Sequence, residues 1–476
     1  MVLNHIKDFI IKNLTYQTIY NYDFIRVFQI VFGFIGFIIA LNTYEAKTFL
    51  FPSYIEHSIF INSLFFLWFT TSFFLIIGLN HLLVRLLLYI VSSYLLIENA
   101  GVFSIEPKFY IYGAFFNVFF LNKKQKEVCF KYNPVVIMLI GLGAMLFLNG
   151  FITKIQDPNW RTGAGMLMVL SSKHLRFEYM SFLLDSKYLM MILGYVALLF
   201  EGALLFTSFF KKTRLIAVLI FTSFAFLLIG FLRVNQIGSL AVAFCIPLIS
   251  LFPATKKINT IFLKKIDITY YLNIDKNTYF FQAYYKKITF MLYVGLILSM
   301  SIPVSQFVSQ NFNLGPGNRF LDIFSRTLEK PNRYTYNIRY GHLFTSRHLV
   351  DVYAFRIILR DSQGKEYEPI QVFKEDQSPG IDSKSFFSSR WLQAEMYYVD
   401  HYGVQKYDYG INRLIRLFEF AGYRAEIPSK SIGFLLSSRI EIPTNFNEEI
   451  KNKTGNVTWD TLATYNYSRS KLNITR

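Results

Sequence analysis

Long apolar runs alternate with short polar connectors over the first 308 residues. Runs near Phe24–Leu41, Ser58–Leu79, His81–Ile97, Pro134–Ile152, Tyr188–Phe210, Leu215–Leu232, Ile237–Phe252 and Ile288–Val308 each predict a helix of membrane-crossing length. Phe109–Leu121 is shorter. It reads as a tilted crossing or as a re-entrant segment shielded by its neighbours, because unpaired backbone cannot face lipid. With it counted as a crossing there are about nine spans, and three basic clusters then fall on one side. These are Lys123, Lys124, Lys126 and Lys131; Lys211, Lys212 and Arg214; and Lys256, Lys257, Lys264, Lys265, Lys286 and Lys287. Positively charged connectors stay cytoplasmic, so the N-terminus is expected inside and everything after Val308 outside.

The texture changes after Ser309. Gly315-Pro316-Gly317 marks a break, and charged residues become frequent among short alternating segments. Tyr353, Phe355, Ile357 and Leu359 alternate in Val350–Leu359, a turn follows at Asp361–Gly364, and Pro369–Phe373 is a second strand, so a hairpin is expected. Arg390–Phe420 reads as one or two amphipathic helices broken near Tyr402–Gly403. The expected architecture is an all-α multi-pass membrane helical bundle over 1–308, with a mixed α/β extracytoplasmic C-terminal domain over 309–476. Four Asn-X-Ser/Thr triplets begin at Asn452, Asn456, Asn466 and Asn473. They read either as glycan acceptors or as chance products of an Asn-rich composition.

Composition supports lipid as the solvent. Hydrophobic residues make up 53% of the 476, charged residues only 17%, and the mean hydropathy is +0.33, an apolar excess that a water-soluble surface does not absorb. The net charge of +18 raises nucleic acid as a partner, but the basic residues sit in short clusters between apolar runs. They therefore read as topology charges and contacts to anionic membrane lipids, with no nucleic acid partner. Cys129 and Cys245 supply neither a disulfide framework nor a metal-ligand spacing, and no metal is expected. Residues 1–23 are too polar for a signal core, so Phe24–Leu41 is expected to be a retained span.

Ionisable groups at membrane depth are costly, and each is a candidate for function. Glu201 lies mid-run among Leu198, Leu199, Phe200, Ala203 and Leu204. It reads as a proton carrier or cofactor anchor, or as a protonated carboxyl bonded to a neighbouring helix. Arg233 and Asn235 close the next run and could supply its partner. Lys154 falls in the loop expected after Ile152, which runs on through Asp157, Pro158 and Trp160 to Gly163-Ala-Gly165. Desolvation disfavours an ammonium at such a boundary and lets a lysine act as a base. The alternative is a headgroup-level anchor together with Trp160. His342, His348 and His401 are dispersed, and no soluble-enzyme signature is present.

At this loop the sequence resembles the membrane part of the vitamin K-dependent gamma-carboxylase family, whose bacterial relatives are the horizontally transferred transmembrane (HTTM) domain proteins. Three patches carry the resemblance, within Asp23–Phe252: Gly150–Trp160 with Arg161–Gly165; the Glu201 run with Lys211-Lys-Thr-Arg214; and Phe231-Leu-Arg-Val-Asn235 running on to Phe244 and Leu251-Phe252. The family's Phe-His-x-x-Asn histidine is Leu232 here. Its Asn-His-x-Tyr-Leu-Tyr-Gly patch is matched by Lys108-Phe-Tyr-Ile-Tyr-Gly113, with Lys108 in the histidine's place. The resemblance implies Lys154 as the base that deprotonates a quinol, menaquinol or vitamin K hydroquinone, with Lys108 modulating it by like-charge repulsion. Glu201 with Asn235 would form the polar floor of the pocket, and Trp160 would join them in binding the cofactor. A carboxylase/epoxidase-like enzyme acting on a quinol or peptide at the outer face of a bacterial inner membrane is one expectation. The other is a non-catalytic subunit or maturation factor whose external domain binds a secreted or membrane protein partner.

Overall fold

The computed structural model describes residues 22–45, 47–51, 58–79, 81–97, 105–119, 134–171, 176–209, 211–232, 235–249, 301, 305, 308, 316–335, 351–372, 374–375, 380, 408–426, 430–441 and 459–475. In the first half the elements are α1 (Tyr22–Glu45), α2 (Lys47–Leu50), α3 (Ser58–Ile77), α4 (Leu82–Ile97), α5 (Ile105–Val118), α6 (Pro134–Gln156), α7 (Pro158–Arg161) and α8 (Gly165–Ser171). A 3-10 segment (Glu178–Asp185) leads into α9 (Lys187–Phe209), α10 (Arg214–Phe226) with a π turn (Leu227–Phe231), and α11 (Asn235–Ile249). Among the described residues, three stretches are long and apolar enough to cross a membrane: Arg26–Glu45, Ile59–Ile77 and Lys187–Leu204. Shorter apolar helices cover Leu82–Leu96, Phe109–Val118, Arg214–Gly230 and Gly238–Ile249. Most of the expected run at Ile288–Val308 lies outside the described residues.

α11 is the hub, packing on α1, α5, α6 and α10. Its Leu240, Ala241, Ala243, Phe244 and Leu248 are buried, with small residues between large ones so that neighbouring backbones come close. α1 and α5 run antiparallel. Gln29 Nε2 donates to Asn117 Oδ1 (3.2 Å), and three residues further along α1 Phe32 covers Gly113, where a Cβ would meet the ring at 2.5 Å. Phe32 also stacks on Tyr110 (4.7 Å between centroids), beside Trp68 (6.1 Å). The opposite faces carry exposed apolar side chains: Ile59, Phe66 and Phe73 on α3; Tyr188, Ile192 and Leu199 on α9; Leu215, Leu219 and Phe226 on α10 and its end.

One end of the bundle is held by buried arginines. Gly78 turns the chain out of α3 at φ +104, and Arg26 of α1 reaches the carbonyls this leaves open, donating to Leu75 O (2.5 Å) and Ile76 O (2.6 Å). Arg85 of α4 does the same for α5, donating to Asn117 O at 3.0 Å. Cations at helix C-termini also meet the negative end of the macrodipole.

Beyond the bundle, α12 (Pro316–Thr335) is followed by β1 (Asp351–Arg360), β2 (Glu366–Gln371), α13 (Asp408–Ala425), β3 (Ile432–Glu441), β4 (Asp460–Asn466) and β5 (Lys471–Ile474). The strands form one antiparallel sheet in the order β2-β1-β3-β4-β5. The expected hairpin is present, closed by Asp361, whose carboxylate accepts from Gln363 N and Lys365 N (both 2.9 Å), with Gly364 at φ +83. Phe355, Ile357, Leu359, Leu435 and Tyr465 form the sheet's share of a core whose helical share is Leu414, Leu417, Phe418 and Ala421 of α13. Of the expected Arg390–Phe420 helices, the described part starts at Asp408, after the expected break, and continues to Ala425. Asn466 Oδ1 accepts from Ser468 Oγ (2.7 Å) and Arg469 N (3.2 Å), so this triplet builds the β4–β5 turn. α13 also packs against α2, which joins the sheet domain to the end of the bundle where α1 finishes.

Candidate functional site

Lys154 sits in the last turn of α6 rather than in a loop. Nothing after Ile152 breaks a helix until Asp157-Pro158, so the apolar run ends before the helix does. Asp157 then caps the next turn. Its carboxylate accepts from Asn159 N at 3.0 Å, Pro158 occupies the first helical position, and Gly163 (φ +82) reverses the chain. This doubling back buries Trp160 and lays its ring 4.7 Å from Lys154 Nζ, within cation–π range. Tyr195 of α9 donates to Arg161 O (3.1 Å), tying the turn to the next long helix.

Opposite Lys154, α9 presents Glu201. Lys154 Nζ donates to Glu201 Oε1 in a salt bridge whose side chains are 3% and 4% exposed. The other oxygen, Oε2, accepts no hydrogen bond among the described residues. It lies against Gly150, one helical turn before Lys154, where a Cβ would stand 3.2 Å away. The absent side chain is what lets the carboxylate approach α6. A pair removed from water loses hydration that its mutual attraction only partly returns, so keeping one is weak evidence for stability and fair evidence for a role.

Three of the five sequence-predicted residues, Lys154, Glu201 and Trp160, therefore converge on one point. Lys108 lies in the first turn of α5, two residues before Tyr110 and away from the Asn117 end; Asn235 is the first residue of α11, after the π turn. The side chains of both lie outside the described residues. What the structure adds is that Lys154 is not a solitary amine at the boundary: its nitrogen is engaged by a carboxylate 47 positions along the chain. The pair can hold or pass one proton, and its second carboxylate oxygen is a buried acceptor without a donor among the described residues.

Sequence reasoning passed over Arg26 and Arg85, both about 2% exposed or less. The signal was available: each lies inside an apolar run, as Glu201 does. No protein-family model, no curated protein and no solved structure matches this chain.

Proposed function

We propose that the chain is a multi-pass, HTTM-type membrane protein of a bacterial inner membrane. In this reading Lys154 and Glu201 act as one acid–base unit toward a lipid-soluble quinol (menaquinol or a vitamin K-type hydroquinone) or a peptide at the outer face. Three helices of membrane-crossing length among the described residues and the apolar outward faces of α3, α9 and α10 support the embedding. The contact of α13 with α2 supports a C-terminal domain on the side where α6 ends in Lys154, since α1 and α6 would both finish there.

The observation that carries the acid–base reading is the buried Oε2 of Glu201, without a donor among the described residues, on a carboxylate whose other oxygen accepts from the Lys154 ammonium under the Trp160 ring. A substrate hydroxyl donating to Oε2 would lose its proton to the carboxylate. The resulting quinolate would then face the Lys154 ammonium, a fixed countercharge in a dry site. The test is oxidation of menaquinol by dissolved dioxygen in the presence of the protein in lipid nanodiscs, where the deprotonated quinol gives two electrons to dioxygen, yielding menaquinone and hydrogen peroxide. Lys154→Met and Glu201→Gln should each lower it by about 10²-fold. Wild-type consumption in both variants would remove the reading.

The enclosure of both side chains favours a second reading, a non-catalytic subunit or maturation factor in which the pair only locks α6 to α9. In that case a stoichiometric secreted or membrane protein should co-purify in mild detergent and be lost on deleting residues 315–476.

A further inference from the structure

α12 and α13 are both amphipathic, and the structure treats them oppositely. α13 buries its apolar residues Leu414, Leu417, Phe418 and Ala421 in the sheet domain's core. α12 turns Phe320 and Ile323 outward, 67% and 55% exposed, while Ser325 is fully buried. Phe320, Ile323, Phe324 and Thr327 recur at helical spacing, with Phe320 stacked on Phe324 (6.2 Å). Arg319 and Arg326 flank this stripe at i−1 and i+6 from Phe320, and Asp322 pairs with Arg326 at 2.9 Å. Four basic residues (Arg319, Arg326, Lys330, Arg333) against two acidic ones (Asp322, Glu329) leave the helix at +2.

Sequence position says what covers that stripe. The last apolar run ends at Val308 and α12 begins at Pro316, so only Ser309–Gly315 intervenes. Even fully extended, those seven residues span no more than about 25 Å, so the helix cannot leave the neighbourhood of the bilayer surface. An aromatic-aliphatic stripe edged by arginines suits the headgroup–acyl boundary, where the rings enter the lipid and the guanidinium groups stay with the phosphates.

We infer that α12 is an interfacial helix, lying in the outer leaflet with Phe320 and Ile323 inserted and its basic edge on anionic phospholipid headgroups. This rests on the membrane-embedded reading of the bundle, and the test separates the two.

The full-length protein, with Cys129 and Cys245 replaced by serine, is labelled with an environment-sensitive fluorophore at Phe320→Cys or, as the bundle reporter, at Leu199→Cys on α9. It is reconstituted in nanodiscs of phosphatidylcholine and phosphatidylglycerol, with or without brominated acyl chains. Both labels should dim about twofold with brominated lipid, as expected for a face buried shallowly in the acyl boundary. Arg319→Glu should weaken the quenching at position 320 and leave position 199 unchanged. Quenching at 199 without quenching at 320 overturns the interfacial helix alone. A blue-shifted but unquenched 320 label does the same, because the cover is then protein. Loss of quenching at both positions overturns the membrane-embedded reading along with it.

Discussion

Two regions of the bundle bury positive charge, and they do so in opposite ways. At one end Arg26 and Arg85 give their donors to main-chain carbonyls at the ends of α3 and α5. These acceptors exist wherever a helix ends, and the arginines complete the fold by occupying them. At the other site Lys154 faces a single side-chain carboxylate, one oxygen of which is left without a donor among the described residues. The acceptors in the first arrangement are main-chain carbonyls, which do not titrate, and the acceptor in the second is a carboxylate, which does. Burial of charge is the same in both, so it does not by itself point to chemistry. What distinguishes the Lys154 region is a partner that can itself take up or release a proton in a water-poor place.

This contrast can be broken most directly at the pair. Lys154→Met leaves a buried carboxylate without its cation and should cost about 3–5 kcal/mol of stability, measured by thermal unfolding in a fixed detergent. The double variant Lys154→Met with Glu201→Leu should recover most of that loss. If the double variant loses the sum of the single changes, the two side chains are not coupled and the site dissolves.

Arg26→Met should cost less, about 1.5–3 kcal/mol, because two charge-assisted hydrogen bonds to carbonyls go while no lone charge is left behind. Arg26→Lys should recover only part, since one ammonium does not reproduce a fork that bridges Leu75 O and Ile76 O. An unchanged midpoint in Arg26→Met would mean that α3 is capped some other way.

Trp160→Leu keeps an apolar cover over Lys154 but removes the aromatic face, and should cost about 1–2 kcal/mol. If menaquinol turnover falls far more than stability in this variant, the indole belongs to the substrate as well as to the amine.

The sheet domain supplies the smallest effect and a pH control. Burial pushes the Glu368 carboxyl up from its ordinary value, opposed by the Arg356 guanidinium. The folded domain thus binds this proton more tightly than the unfolded chain does. The associated stability is fully present below the ordinary carboxylate range and is lost as pH rises through the folded value. Glu368→Gln should therefore leave β1–β2 amide exchange unchanged at acidic pH and slow it slightly at neutral pH. Faster exchange at neutral pH would mean that the Arg356 contact outweighs burial.

The sequence by itself determined the apolar runs, the break near Gly315, the β1–β2 hairpin and the residues worth suspecting, because each is written in local periodicity or turn chemistry. Helix ends were less legible. The run stops at Ile152, but the backbone has no reason to unwind before Pro158, so Lys154 is helical. β3, β4 and β5 were not anticipated, since a strand's partner is chosen by burial against distant segments. Only tertiary structure decided that Lys154 meets Glu201, that Trp160 folds over the amine, and that Arg26 and Arg85 serve carbonyls 32 to 50 positions away. A buried charge must find its partner in space, and a glycine such as Gly150 shows its purpose only once the helix carrying the carboxylate has packed against it.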